Sequence, residues 1–225
     1  MIGVTNAFVN GSSGSSGGSV ENGIYIVDTN YKCYSPDTTT VDSPMAIAIV
    51  SDNCCFLMGC HYYSGIPWMS SSYTGYNTDI SSVPTSTDSS TIATYYDGKT
   101  YTSDIYNYSS SIGITSTDYC AARRASQSHL DGTRAGYLGS AGEWQVIIDN
   151  YSAVQTALTN AGGFIIDWND GTYYWTSCEY NGSDAWFARF ASDVQDLYGN
   201  LKYYSYSYYC VVPFYKVDKS ELTAA

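Results

Sequence analysis

The sequence predicts an α+β domain with short antiparallel strands, one or two supporting helices and a long surface insertion. Three observations carry this reading: short apolar runs bounded by turn residues before residue 61, a helix signal opening at Ser140, and a return to aromatic, strand-forming segments after Thr172. At 225 residues the chain can bury a sizeable core. Residues 1–21 read as a flexible segment, because GSSGSSGGS at 11–19 offers almost nothing to pack. The folded domain is then expected over 22–218, with 219–225 as a tail.

The first half reads as strands. GIYIVD (23–28) leads through a DTN turn to KCYSPD (32–37), and MAIAIVSDN (45–53) and CCFLMGC (54–60) follow. MAIAIV is strand-sized, and no apolar stretch approaches the roughly 20 residues of a membrane span. Residues 62–98 are rich in Ser, Thr, Tyr and Asp without periodicity, which predicts the surface insertion. Short helices are expected at Ser103–Tyr108 and at Thr117–Arg124, the latter with Ser116 or Thr117 as N-cap and cations in its last turn.

The clearest helix runs from Ser140 to Asn160. Ser140 and Glu143 form a capping box, Trp144, Ile147, Ile148, Tyr151, Val154 and Leu158 recur at helical spacing, and Ala161-Gly162-Gly163 ends it. Its expected role is to support the sheet. Strands are then expected around Phe164–Asp167, Thr172–Ser177, Ala185–Phe190 and Tyr203–Pro213, with Asn181-Gly182 as a turn. As a strand, Tyr203–Tyr209 would place Tyr204, Tyr206 and Tyr208 on one face and Ser205 and Ser207 on the other.

Charge excludes some partners. The formal net charge of −12, from 21 acidic and 9 basic residues, disfavours nucleic acid and anionic membrane surfaces. The amino terminus lacks a basic region and a long apolar run, so it is not expected to be a secretory signal. Seven cysteines, with Cys54 and Cys55 adjacent, match neither a zinc module nor a CxxC motif. Buried free thiols are expected, and one disulfide stays open. No cofactor or metal is expected.

The catalytic motifs are weak. Trp168-Asn169-Asp170 spells a tripeptide found at calcium sites of sugar-binding lectins, yet one Asn-Asp pair cannot supply six to eight oxygens, and Asn169-Asp170-Gly171 reads as a turn. Asp167, Asp170 and Glu179 could pair as glycosidase carboxylates, but nothing in their spacing opposes them. His61 and His129 have no nucleophile or ligand at a recognisable interval, the neighbouring Cys60 included. Arg123, Arg124 and Arg134 are expected to pair with internal carboxylates.

Recognition chemistry is richer. The chain holds 25 tyrosines, and Thr172–Phe214 mixes them with Ser, Asn, Asp and Gly around Trp175 and Trp186. Rigid aromatics supply contact area at low entropy cost, and small polar residues supply adaptable hydrogen bonds.

GYLGSAGEW (136–144), the amphipathic helix, YYWTS (173–177), DAWFARF (184–190) and CVVPF (210–214) occur in an order that resembles the C-type-lectin-fold variable proteins of diversity-generating retroelements, especially those of gut Bacteroides and their phages. GIYIVDTNYKCYSPD and AIAIVSDNCCF are similar to the amino-terminal half of those proteins, so the resemblance covers most of residues 22–215. It implies a C-type-lectin-like binding scaffold whose segment 172–214 is diversified by adenine-directed mutagenesis. Changing the adenines of AAY codons cannot reach Trp, Glu, Gln, Lys or Met, so Trp175, Glu179, Trp186, Gln195 and Lys202 should be fixed.

Mapped onto this chain, the expected ligand-facing residues are Tyr180, Asn181, Ser183, Asp184, Phe187, Arg189, Tyr204, Tyr206 and Tyr208, with Trp144, Trp175 and Trp186 structural. Strand alternation puts Phe187 and Arg189 on one face and Trp186, Ala188 and Phe190 on the other. The function so implied is non-catalytic recognition of a cell-surface protein or glycan, at a phage tail-fibre tip or as a bacterial surface adhesin. A homo-oligomer, such as a trimer on a fibre, follows by analogy. The alternatives are a fixed carbohydrate-binding lectin and a relative of the formylglycine-generating oxidases, which share the lectin-like fold and for which Cys178 and Cys210 would be the cysteine pair.

Overall fold

A computed structural model describes residues 18–164, 172–191 and 194–225. Four strands open the chain: β1 (Gly23–Asp28), β2 (Lys32–Tyr34), β3 (Pro44–Val50) and β4 (Cys55–Gly59). A short β5 (Tyr63–Ser64) leads into a long irregular stretch that ends in α1 (Ser89–Ile92) and α2 (Gly98–Ser111). Next come α3 (Ala121–Ser126), the small strands β6 (His129–Leu130), β7 (Arg134–Ala135) and β8 (Tyr137–Leu138), and the consecutive helices α4 (Ala141–Asp149) and α5 (Tyr151–Asn160). The last third holds β9 (Tyr173–Glu179), β10 (Asp184–Ala191), β11 (Val194–Leu201), β12 (Tyr209–Val211), β13 (Pro213–Lys216) and β14 (Thr223–Ala224).

Among the described residues these strands form a seven-stranded sheet, ordered β14-β2-β1-β3-β4-β13-β8, and a five-stranded sheet, ordered β11-β10-β9-β12-β5. Both are antiparallel apart from β14 on β2 and β12 on β9, and β6 and β7 form a separate ribbon. The class is α+β. Alternation along β3 explains its unbroken apolar run: Ile47 and Ile49 face the space between the sheets, while Ala46, Ala48 and Val50 pack behind the first sheet.

The central core lies between the sheets. Ile24, Ile26, Phe56 and Met58 from one side meet Tyr174, Trp186, Ala188 and Phe190 from the other, with Trp144, Ile147, Val154 and Leu158 of the helix pair between them. The capping box is present: the Ser140 hydroxyl accepts from the Glu143 N–H, and the Glu143 carboxylate accepts from the Ser140 N–H at 2.7 Å. The expected single helix is broken at Asn150, whose φ of −117° and ψ of 22° depart from helical values and separate α4 from α5. Gly162, at φ +68°, closes α5, with the Gly163 N–H bonding the Leu158 carbonyl at 2.8 Å.

Several expectations need correction. Residues 62–98 are no surface insertion: Ile66, Trp68, Met69, Ile80 and Val83 form a second core with Ile105 of α2 and Ala121, Ala122 and Ala125 of α3. This core packs against Trp175, Ala185, Phe187 and Tyr209, so the second sheet is buried on both faces. The expected tail is part of the fold, since β14 pairs with β2, Leu222 is buried and Thr223 bridges Ser19. Of the strand expected at Phe164–Asp167, Phe164 is irregular and the rest lies outside the described residues.

Candidate binding surface

The β9–β10 hairpin turns through Tyr180-Asn181-Gly182-Ser183. The Asn181 side-chain carbonyl accepts from the Ser183 and Asp184 N–H groups at 2.7 and 2.9 Å, which spends that oxygen on the turn. β11 continues as a third antiparallel strand, with Asp184 opposite Leu201, Phe187 opposite Tyr198 and Arg189 opposite Asp196. β12 then pairs parallel to β9 at Tyr173. The chain must therefore travel from the Leu201 end of the sheet back to the Tyr173 end, crossing β10 and β9. Residues 203–208 make that crossing.

This geometry overturns the expected strand at Tyr203–Tyr209, since residues 203–208 are irregular and turn-rich, and only Tyr209 joins a ladder. The tyrosines are still brought together. Tyr204 and Tyr206 have ring centroids 5.5 Å apart, and Tyr206 stacks on Tyr208 at 5.4 Å with 21° between planes. Tyr206 is 57 % exposed, Tyr203 and Tyr208 are exposed, and Tyr204 is half-buried over the second core. Tyr208 also packs edge-on to Tyr173, and Tyr203 packs edge-on to Tyr76.

Phe187 lies beneath this loop. It is 1 % exposed and boxed by the rings of Tyr173, Trp175, Tyr198 and Tyr209 at 4.8–6.0 Å. The expected strand alternation at Phe187 holds, but the crossing chain covers that face, so Phe187 is core rather than ligand-facing. Arg189 is half-exposed on the same face. Its guanidinium grips Asp196 through two hydrogen bonds at 2.9 and 2.7 Å and covers the ring of Tyr198 at 4.7 Å. Tyr180 goes to the other face, where it packs on Trp186 at 5.0 Å and over Gly199; a Cβ at Gly199 would lie 2.5 Å from its ring. Ser183 is exposed, and Asn181 and Asp184 are half-buried at the hairpin tip.

The structure thus separates the nine residues. Tyr204, Tyr206 and Tyr208 form a continuous face, with Arg189 at its edge; the hairpin residues lie toward the far end of β10, five residues or about 17 Å from Arg189 at strand rise. Tyr198, 51 % exposed, and Tyr203 belong to the face and were not anticipated. The available signal for Tyr198 was its place two residues after Asp196, opposite Arg189 and Phe187, once β11 is recognised as the hairpin partner of β10.

Beneath the surface sits a rigid support. Trp144, Trp175 and Trp186 are buried, with the Trp175 indole N–H bonding the Ile66 carbonyl at 2.9 Å and the Trp186 indole N–H bonding the Ser86 carbonyl at 2.8 Å. Glu179 and Lys202 form a fully buried ion pair. The other Glu179 oxygen accepts from the Ile80 N–H at 2.9 Å and the Thr85 hydroxyl at 3.3 Å, while the Lys202 ammonium donates to the Thr78 carbonyl at 3.2 Å and covers the Trp68 ring. Burial pushes the Glu179 carboxyl up and the Lys202 ammonium down. The pair ties the irregular 66–86 stretch to the sheet.

The remaining chemistry is structural in arrangement. All seven cysteines are free, and burial pushes the thiols of Cys178 and Cys210 up to about 12. Arg124 pairs with Asp118 and Arg134 with Glu221, but Arg123 is held by Ser109, Ser110 and the Tyr106 ring and carbonyl, with no carboxylate partner among the described residues. Asp167, Asn169 and Asp170 lie outside the described residues, and Glu179 is committed to Lys202. Among the described residues no group of three or more His, Cys, Asp or Glu is placed to hold a metal ion, and no helix is long and apolar enough to cross a membrane.

No family model and no curated protein matches the chain. Among solved structures it is similar to a fimbrial protein from Bacteroides ovatus, with a TM-score of 0.55 and 13 % sequence identity over 87 % of this chain. The match spans 48 % of that protein, so this chain corresponds to about half of its length. At this identity the likeness is one of fold.

Proposed function

We propose that the chain is a non-catalytic receptor-recognition protein of the C-type-lectin-like fold, binding a cell-surface protein or glycan through its tyrosine face, with segment 172–214 diversified by a retroelement. One observation carries the reading: the segment divides into buried support and open aromatic surface. Trp175, Glu179, Trp186 and Lys202, which adenine changes in AAY codons cannot produce, are all buried. Gln195 is half-buried and bonds the Ala191 carbonyl. Tyr198, Tyr203, Tyr206 and Tyr208, which such codons can produce, are exposed.

The lectin-like assignment is further supported by the pairing of the first and last segments in one sheet, beside a smaller sheet that carries the aromatic face. The likeness to a fimbrial protein from Bacteroides ovatus fits a bacterial surface setting, and a phage tail fibre is the other setting in which such a face would meet a cell. Burial of Cys178 and Cys210 supports the non-catalytic reading over oxidase chemistry, which needs an accessible thiolate.

The test is to sequence the locus around the gene. A near-copy of the segment encoding Thr172–Phe214 that differs at adenines, beside a reverse transcriptase, is expected. Lack of that repeat would overturn diversification and leave a fixed adhesin. The binding role is tested separately: replacing Tyr206 and Tyr208 by Ala should abolish attachment of the labelled protein to cells it decorates, and unchanged attachment would refute it.

A further inference from the structure

This chain places its own cations on aromatic faces. Lys32 lies over Tyr34, Arg123 over Tyr106, Arg124 over Tyr63, Arg134 over Tyr31, Arg189 over Tyr198 and Lys202 over Trp68, at 4.1–5.5 Å. That is six of its nine basic residues, where a chain of this length would hold about three such pairs. The exposed rings of Tyr203, Tyr206 and Tyr208 have no such resident cation among the described residues, and their faces carry the same negative quadrupole.

The charge around them points the same way. Arg189 and Lys202, which adjoin the face, are neutralised by Asp196 and Glu179. Asp79 is exposed and Asp184 half-buried near the Tyr203 end, and neither is in an ion pair among the described residues. The chain as a whole carries −12. An anionic ligand would meet repulsion with no free cation among the described residues of the face to offset it, whereas a cationic one gains from both the rings and the long-range field.

We infer that the tyrosine face takes a basic protein segment, whose Arg or Lys side chains lie on Tyr203, Tyr206 and Tyr208 with Asp79 and Asp184 at the margin. This rests on the face being the binding surface and names the chemistry of its ligand.

The probe is the peptide Gly-Arg-Gly-Arg-Gly, titrated against the full chain by calorimetry or NMR, beside the same peptide with citrulline, which keeps the planar shape and removes the charge. The arginine peptide is expected to bind and the citrulline peptide to bind at least tenfold more weakly. Each of Tyr206→Ala and Tyr208→Ala should cost about three- to fivefold in affinity. Raising salt beyond about 0.1 M, where the Debye length falls to about 10 Å, should weaken binding further. Equal binding of both peptides, arginine-peptide binding that survives both tyrosine changes, or binding of neutral oligosaccharides alone would overturn the inference. If the tyrosine variants lose cell attachment while the arginine peptide fails to bind, the recognition reading stands and this one falls. If the tyrosine variants keep cell attachment, the recognition reading falls and this inference falls with it, whatever the peptide does.

Discussion

Replacing Lys202 by Met would leave Glu179 buried without its counter-charge, and the structure sets the size of the effect. Both side chains are fully inaccessible to solvent. The Glu179 oxygen that faces Lys202 would lose its charged partner, while the other keeps the Ile80 N–H and the Thr85 hydroxyl. Breaking a buried pair from one side costs about 3–5 kcal/mol. The Thr78 carbonyl also loses its donor, adding about 1 kcal/mol. Methionine fills much of the same volume against Trp68, so a cavity adds little. The two terms together, a loss of about 5 kcal/mol, correspond to a fall in Tm of roughly 10–20 °C for a domain of this size.

The assay is urea unfolding at pH 7, with the wild-type slope retained. Adding Glu179→Gln should recover at least half of the loss, because the amide oxygen still accepts from Ile80 and no charge stays buried. Lowering the pH toward 5 should shrink the single-variant deficit, as protonation neutralises the stranded carboxylate, already pushed up by burial. A loss below about 1 kcal/mol, or a double variant as unstable as the sum of the two singles, would refute the view that this pair locks the 66–86 stretch to the sheet.

Burial raises the Glu143 carboxyl from 4.5 to about 7, so the folded state holds a proton that the unfolded chain has released. That contribution is fully present below pH 4.5 and is lost as pH rises through about 7, amounting to at most about 3 kcal/mol; Glu143→Gln should flatten the profile in thermal melts between pH 4.5 and 8. Phe187→Ala should cost about 3–5 kcal/mol in urea unfolding, because it empties the box formed by four aromatic rings; a loss under about 1 kcal/mol would mean the ring is dispensable to the core. Ser140→Ala should cost about 1–2 kcal/mol in the same assay, since the buried hydroxyl both caps α4 and meets the Glu143 carboxylate.

Local signals in the sequence located the strands of the first sheet and the cap of α4, because β1, β3 and β4 are continuous apolar runs and Ser140 with Glu143 is a short-range pattern. Non-local constraints stayed hidden. The alternation of Tyr204, Ser205, Tyr206, Ser207 and Tyr208 is what a half-buried strand would show, and only the parallel pairing of β12 with β9 forces the chain to cross the sheet there. That crossing is also why Phe187 is covered. The apolar cluster at Ile66, Trp68 and Met69 was diluted by serines, threonines and tyrosines that reach solvent around it, so its burial was not legible from periodicity. Asn150 broke the long helix although Val154 and Leu158 kept the helical spacing on its far side. For the candidate surface, Tyr204, Tyr206 and Tyr208 come together in space, whereas Arg189, Tyr180 and Asn181 hold neighbours within the chain.

Ser19 bridges Thr223, and β14 lies beside β2 at one edge of the first sheet. Ser19 and Thr223 are therefore side by side, at a different sheet from the one that carries the aromatic face. A unit of that shape can be spliced into a surface loop of a host protein at two neighbouring points, leaving the host's chain path undisturbed. Carried as a cassette between hosts, such a unit would bring its aromatic face along whole.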